Sequence, residues 1–444
     1  MSRHSYSDQV RALTLCSLRV NAVRAERYHG LDWLRAVAAL LVVMLHAGLA
    51  YTLTPWPGLA WPVHDPEPVR IVDALTWWID GFIMPLFFLL GGFVAAHLFL
   101  RRGGKGYLRH RVKRVVAPFL FGCVVILPLD LYVWLLGWVI EGRIPLRKLR
   151  SLKLGEAGQD LWGVGHLWFL QYLFLFSVVM WAVQHAWDMW HAVRAARGKM
   201  TSARTAVDRY AETRLGAILA PVLCCLPGAV VLWWEPRVVI GFRHSWHPLV
   251  ANLLYYAPCF IFGWWLLHRR RSGDYVGRFS GWHLAASAAV FAVLLPLVRE
   301  HVGGELAGSR RILLCVLFAA FAWLSSVGWF GLFLNALGKR KPPEWVAYLA
   351  ESSFWMYLFH HPIVGLAQVS LGKSGLPAWG KYCLSGAAAI SLSLLTYEVF
   401  VRRTWVGRLL HGTKSTPAVA VEPDVIRLPH PVEPDVAGPK RRAA

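Results

Sequence analysis

The feature that most constrains this chain is a series of long apolar runs. Each is close to the ~20 residues an α-helix needs to cross a hydrocarbon core. Ten stand out, at about 31–51, 76–99, 115–138, 164–184, 215–234, 250–267, 281–298, 312–335, 352–371 and 382–401. Inside a bilayer every backbone N–H and C=O must be satisfied by the protein itself, so such runs read as helices. The expected fold is all-α, a polytopic membrane protein with about ten transmembrane helices. Composition agrees: of 444 residues, 56% are hydrophobic and only 16% charged, against roughly a quarter charged in soluble proteins. The 24 Trp suit the aromatic belts at membrane–water interfaces. Disordered, collagen-like and disulfide-stapled classes are excluded, and a soluble globular enzyme is disfavoured.

The net charge of +22 would suit a nucleic-acid binder. Here the charges lie between apolar runs rather than on one polar domain, so the partner is the lipid bilayer and not nucleic acid. With the N-terminus inside, the segments assigned to the cytoplasm carry 33 Lys and Arg and the outer segments 13. That bias puts both termini in the cytoplasm with an even number of crossings. The basic stretch 139–163, with Arg143, Arg147, Lys148, Arg150 and Lys153, falls outside in this scheme. The apolar stretch 12–18 is too short for a signal-peptide core, so the first long run is expected to stay as an uncleaved span.

Three regions follow. Residues 1–29 form a cytoplasmic N-terminal tail, 30–410 the transmembrane domain, and 411–444 a Pro-rich tail. That tail repeats Val-Glu-Pro-Asp-Val at 421–425 and 432–436, and its composition predicts disorder. Six of the 7 Cys lie in apolar segments, where free Cys behaves as a small hydrophobe. Neither a disulfide framework nor a metal site is indicated by their spacing.

Ionisable residues at membrane depth are expensive and so mark candidate sites. Arg35 and His46 in the first run are eleven residues apart, about three turns and ~16 Å of rise, so they lie on one helix face. Asp32, three residues before Arg35, suits a local pair or a place in the first turn. Arg111 and Arg114 end the most basic loop and face the same way in a regular helix, which suits a multiply phosphorylated ligand. His166 opens the fourth run next to Trp162 and Trp168. Tyr357 and His361 share a face in the ninth run, and the neighbouring His360 points elsewhere, so at most one of the two His shares a given cavity wall. Asp80 and Asp130 are the carboxylates placed to orient His46, as carboxylates orient catalytic imidazoles. Glu398 is expected to pair with Arg402. No HExxH, GxSxG, Walker loop or GxGxxG anchors hydrolytic or dinucleotide chemistry.

Taken in order, these residues form a pattern: Leu31-Asp-x-x-Arg35, Arg35-x10-His46, Phe87-Phe-x-x-Gly-Gly-Phe93, Arg111-x-x-Arg114 with Pro118, His166-Leu-Trp-Phe-Leu170, Tyr256-x-Pro-x-Phe-x-x-Gly263, Tyr357-Leu-x-His-His-Pro362 and Tyr397-Glu398. The chain resembles the acyltransferase-3 family, and within it the succinyltransferases that modify osmoregulated periplasmic glucans. Gly91 stands where relatives often carry Ser. The resemblance implies a multi-pass protein of the bacterial inner membrane. It implies acyl-CoA as cytoplasmic co-substrate, succinyl-CoA in particular, with no permanently bound cofactor. The acceptor is a periplasmic glucan, and the glucan-synthesis machinery a partner. It assigns catalysis to His46 and Arg35, and acyl-CoA phosphates to Arg111 and Arg114. His166, Trp168, Tyr357 and His361 are left as candidates for substrate binding. General-base and acyl-histidine routes through His46 are both open.

The rival class is a secondary transporter of a small anionic or sugar solute, which also uses intramembrane charge and Pro-broken helices. No internal repeat between the halves supports it. A third reading is a membrane scaffold or sensor working through the Pro-rich tail.

Overall fold

A computed structural model describes residues 28–151, 161–196, 225–268, 276–338 and 340–402, together with 404 and 407. The tails expected at 1–29 and 411–444 lie outside the described residues, apart from Tyr28 and His29. The described residues are helical, with no strand among them. The long helices are α1 (His29–Gly48), α2 (Arg70–Arg111), α3 (Leu127–Ile140) and α4 (Trp168–Ala196). Next come the short α5 (Cys225–Trp234), then α6 (Val250–His268), α7 (Ser280–Gly304), α8 (Gly308–Leu337), α9 (Glu344–Leu371) and α10 (Ala378–Tyr397).

Seven helical stretches are long and apolar enough to cross a membrane, fewer than the ten expected. The difference has physical causes. Arg70–Ile140 is one helical stretch of 71 residues and contains two of the expected runs, 76–99 and 115–138. Gly103, with φ 67° and ψ 172°, breaks it; only glycine takes that backbone at little cost. The Arg111 guanidinium reaches back to the Gly91 carbonyl at 3.4 Å, so the chain reverses there. The helix α9 spans 28 residues, but Glu344, Glu351, His360, His361 and Gln368 make it more polar than a lipid-facing span. The expected run 215–234 lies partly outside the described residues.

The helices pack through small residues. A Cβ on Gly92 would strike the Phe260 carbonyl, and one on Gly263 the Leu89 carbonyl. The two glycine-bearing motifs of α2 and α6 are thus two halves of one close crossing, the usual device for membrane helices.

At one end the connecting segments are stitched together. Lys381 pairs with Asp65 at 2.8 Å and Arg299 with Asp73 at 2.8 Å. The Phe242 N–H donates to Pro57 O at 2.8 Å, and Gly163 abuts Ser245. These contacts join the five segments that the charge count places outside. Glu398 pairs with Arg402 at 2.9 Å, as expected.

Candidate active site

A cavity of about 400 Å³ runs between α1, α2, α4 and α9. Arg35, His46, Arg111, His166, Trp168, Tyr357 and His361 all line it. Arg114 does not belong to this lining. Residues 112–116 form a π-helical turn, whose wider winding takes Arg114 off the face of Arg111. The regular spacing assumed for Arg111-x-x-Arg114 is therefore corrected: the two guanidinium groups do not share one wall.

Two Arg side chains line this cavity, Arg35 from α1 and Arg111 from the end of α2. Arg35 Nη2 donates to Ser353 Oγ at 3.3 Å. Arg111 is 6% exposed, and its Nη2 donates to Gly91 O at 3.4 Å. Tyr107 lies under the guanidinium, 5.5 Å from its carbon to the ring centre. No carboxylate forms a salt bridge with Arg111 among the described residues. A buried guanidinium left without a counter-ion is costly, so this end is prepared for an anion. Gly91 bears on the same point: its carbonyl, rather than a side-chain hydroxyl, meets Arg111.

His46 lies toward the other end, on the same helix face as Arg35. The sequence left Asp80 or Asp130 to orient it. The structure shows neither doing so. Its Nδ1–H donates to Val42 O at 2.8 Å. The same Nδ1 is 3.2 Å from His360 Nε2. The His360 Nδ1 in turn faces two carbonyls, Met356 O at 3.0 Å and Tyr357 O at 2.9 Å. Carbonyls only accept, so Nδ1 carries the proton in each ring. In the neutral rings, His360 Nε2 is then an acceptor for His46 Nδ1–H, and the His46 Nε2 is left with its lone pair. That is the tautomer of a base. His360 is fully buried behind His46 and His361 lines the cavity, which agrees with one His per wall. Sequence spacing gave no role to His360, because its partners are backbone carbonyls of its own helix turn and a ring on another helix.

Asp130 serves the other two imidazoles. Its Oδ1 is 3.0 Å from His361 Nδ1 and its Oδ2 is 3.3 Å from His166 Nδ1. These three donor groups lie within 4.8 Å of one another, a ligand set for a divalent ion by residue type. His361 is sandwiched between Trp134, at 4.8 Å and 15°, and His166, at 4.3 Å and 23°. The two carboxylate oxygens and the two Nδ1 atoms are buried and none of them completes a hydrogen bond, so they are paired by proximity and charge alone. His166 is further fixed by its Nε2–H donating to Leu358 O at 3.3 Å, and by Tyr357 OH donating to His166 O at 2.6 Å. The result is a rigid polar floor beside His46, whose ring centre is 5.1 Å from that of His361.

The family model described as an acyltransferase domain (acyltransferase 3) matches residues 28–398. The chain belongs to the acyltransferase-3 family. The match covers every residue of the cavity, and the transporter reading gives way to a membrane acyl-transfer enzyme. Among curated proteins the chain is similar to Glucans biosynthesis protein C from Escherichia coli (strain SMS-3-5 / SECEC), 24% identical over 391 residues, 86% of this chain and 94% of the relative. The same protein from Escherichia coli O139:H28 and O157:H7 matches with the same identity and coverage. No solved structure matches.

Proposed function

We propose that this acyltransferase moves an acyl group, succinyl, from cytoplasmic acyl-CoA to a hydroxyl of a periplasmic glucan. The observation that carries this reading is a single cavity lined by Arg35, by Arg111 with no carboxylate bridged to it among the described residues, and by His46 in the base tautomer. The helical rise from Arg35 to His46 is ~16 Å, a separation that the extended pantetheine arm of CoA suits. Phosphates at Arg111 and Arg35 then leave the thioester beside His46. The glucan end of the reading draws on relatives that are glucan-biosynthesis proteins.

The reaction follows. His46 Nε2 takes the proton of a sugar hydroxyl as its oxygen attacks the thioester carbonyl. The new C–O ester bond forms and the C–S bond breaks. The proton on Nε2 passes to the departing CoA thiolate, and the imidazole returns to its starting tautomer. A preset tautomer and a rigid neighbourhood spare reorganisation at the moment of reaction. No permanently bound cofactor takes part. His166, Trp168, Tyr357 and His361 shape the acceptor side, and Trp168 offers a ring face to a sugar.

The same reading places the chain in the bacterial inner membrane with ten crossings and cytoplasmic termini, next to the machinery that makes the glucan. The stitching of five alternate connecting segments at one end supports the alternation of crossings, and the Lys and Arg bias supports the cytoplasmic termini. The test is direct. Purified protein with succinyl-CoA and a glucan yields a succinyl mass increment on the glucan, and His46→Ala, still folded and membrane-inserted, yields none. An increment with acetyl-CoA only would change the donor; an active His46→Ala would sink the mechanism.

A further inference from the structure

The end of the cavity beyond His46 is roofed by two segments, residues 52–69 and 235–249. They are pinned to each other by the hydrogen bond from Phe242 N–H to Pro57 O at 2.8 Å. The second segment is pinned again where Val164 N–H donates to Ser245 O at 3.3 Å and where Gln171 Nε2 donates to Trp246 O at 3.0 Å. The roof is therefore built, with few backbone choices left to it.

Tryptophans at this end find protein acceptors. Trp61 Nε1 donates to Gln368 at 2.8 Å, Trp134 Nε1 to Ala60 O at 2.7 Å, and Trp138 Nε1 to Trp61 O at 3.0 Å. Trp56 does not. It is 7% exposed and stacked on Trp77 at 4.0 Å, yet its Nε1 is buried with no hydrogen-bond partner. His244 is similar: both ring nitrogens are buried and neither has a partner. Trp56 and His244 line the same cavity as His46. Buried polar groups are nearly always hydrogen-bonded, so each such exception asks for an explanation.

The chemistry of the vacant partners narrows the ligand. Burial first, and then the charge of His361, lower the His244 pKa to about 4, so the ring is neutral at physiological pH and offers one donor and one acceptor. A hydroxyl uses both. Arg237 and Arg243 belong to the same roof, but both are tied to Glu235, at 2.9 and 3.4 Å. The roof therefore presents two guanidinium groups sharing one carboxylate at its rim, and bare neutral groups at Trp56 and His244. Aromatic walls beside a few neutral hydrogen-bonding groups suit the apolar face and hydroxyls of a sugar ring better than an anion.

We infer that the roofed end of the cavity, where Trp56 Nε1 and the His244 ring stand without partners, is a saccharide subsite that holds one sugar unit of the acceptor through its hydroxyls. The inference rests on the glycan-acylation reading and adds the residues that hold the acceptor. It is tested by calorimetric titration of the purified full-length protein with a β-linked glucan oligosaccharide, without any acyl-CoA. The wild type binds. Trp56→Phe, which keeps the ring and deletes the N–H, and His244→Ala each weaken binding about tenfold, as the loss of one hydrogen bond does. His244→Gln, which keeps a donor and an acceptor, recovers most of it. In turnover, KM for the glucan rises by the same factor and KM for succinyl-CoA stays. No binding by the wild type, equal affinity in all four proteins, or a parallel rise of both KM values overturns the subsite. A wild type that binds glucan but acylates it from no acyl-CoA leaves the subsite standing and removes the function proposed above.

Discussion

His46 is held by neutral groups rather than by a carboxylate, and that choice has consequences at the level of one residue. A carboxylate next to a base stabilises its protonated form; the His360 lone pair and the Val42 carbonyl fix direction with less charge. In the proposed mechanism His360 is thus a positioning residue that acts through His46. Replacing it with Ala removes one of two acceptors on the His46 Nδ1–H, and the cost of one hydrogen bond, ~1 kcal/mol, corresponds to a several-fold loss of kcat. His360→Gln offers a carbonyl oxygen at a similar reach and is expected to restore part of it. The readout that separates positioning from mere packing is the pH–rate profile. Its limb for His46 shifts in His360→Ala and returns in His360→Gln, with the thermal midpoint followed in parallel. A profile that stays in place while the midpoint falls would assign His360 to packing alone. The sequence showed Arg35, His46 and the pair His360-His361 as costly residues, and their cost is what made them legible. It did not show which carboxylate served which imidazole. That depends on helix neighbours far apart in the chain, with Asp130 meeting His166 and His361 across three elements.

At the level of elements, two motifs that looked separate are one contact. Phe87-Phe-x-x-Gly-Gly-Phe93 lies on α2 and Tyr256-x-Pro-x-Phe-x-x-Gly263 on α6. Their glycines face each other's backbone: Gly92 meets Phe260 and Gly263 meets Leu89. Phe88 packs on Tyr256 with ring centres 4.7 Å apart. Any side chain at either glycine drives the helices apart, and because the obstacle is backbone it cannot rotate away. Overpacking a close contact costs ~1–3 kcal/mol, occasionally more. Gly92→Val and Gly263→Val are each expected to lower the thermal midpoint of the detergent-solubilised protein by several degrees. Gly91→Ala, whose added carbon meets the flexible Leu173 side chain at 2.8 Å, is expected to cost much less. Equal losses at all three positions would contradict the crossing as the reason. The π-helical turns after Arg111 are the opposite case, where the sequence misled. A spacing of three means a shared face only in a regular α-helix, and nothing in Val112–Val116 announces the wider turn.

For the whole molecule, hydropathy fixed the class and left the count open. The runs 76–99 and 115–138 merge into one helical stretch because Gly103 turns the chain with almost no loop. The run 352–371 is nearly hidden to a measure based on apolarity, because α9 carries the polar side chains of the site and spends them on protein rather than lipid. Both effects have one origin: a membrane enzyme places its chemistry inside its own spans. Sidedness is a separate matter, since the contacts that gather residues 52–75, 139–163, 235–249, 299–311 and 372–381 at one end do not say which compartment that end faces. In the proposed topology, which follows the charge bias, it faces outward. Lys373 and Lys341 are both exposed and belong to opposite ends in this scheme. In a variant whose native cysteines are replaced, Lys373→Cys is expected to react with a membrane-impermeant maleimide in intact spheroplasts, and Lys341→Cys only after lysis. The reverse pattern would turn the molecule over, with the Arg35–Arg111 end outside and the Trp56–His244 roof in the cytoplasm. Acyl-CoA would then have no route to the guanidinium groups from the compartment that holds it, and the direction of transfer proposed for this cavity would be lost with the topology.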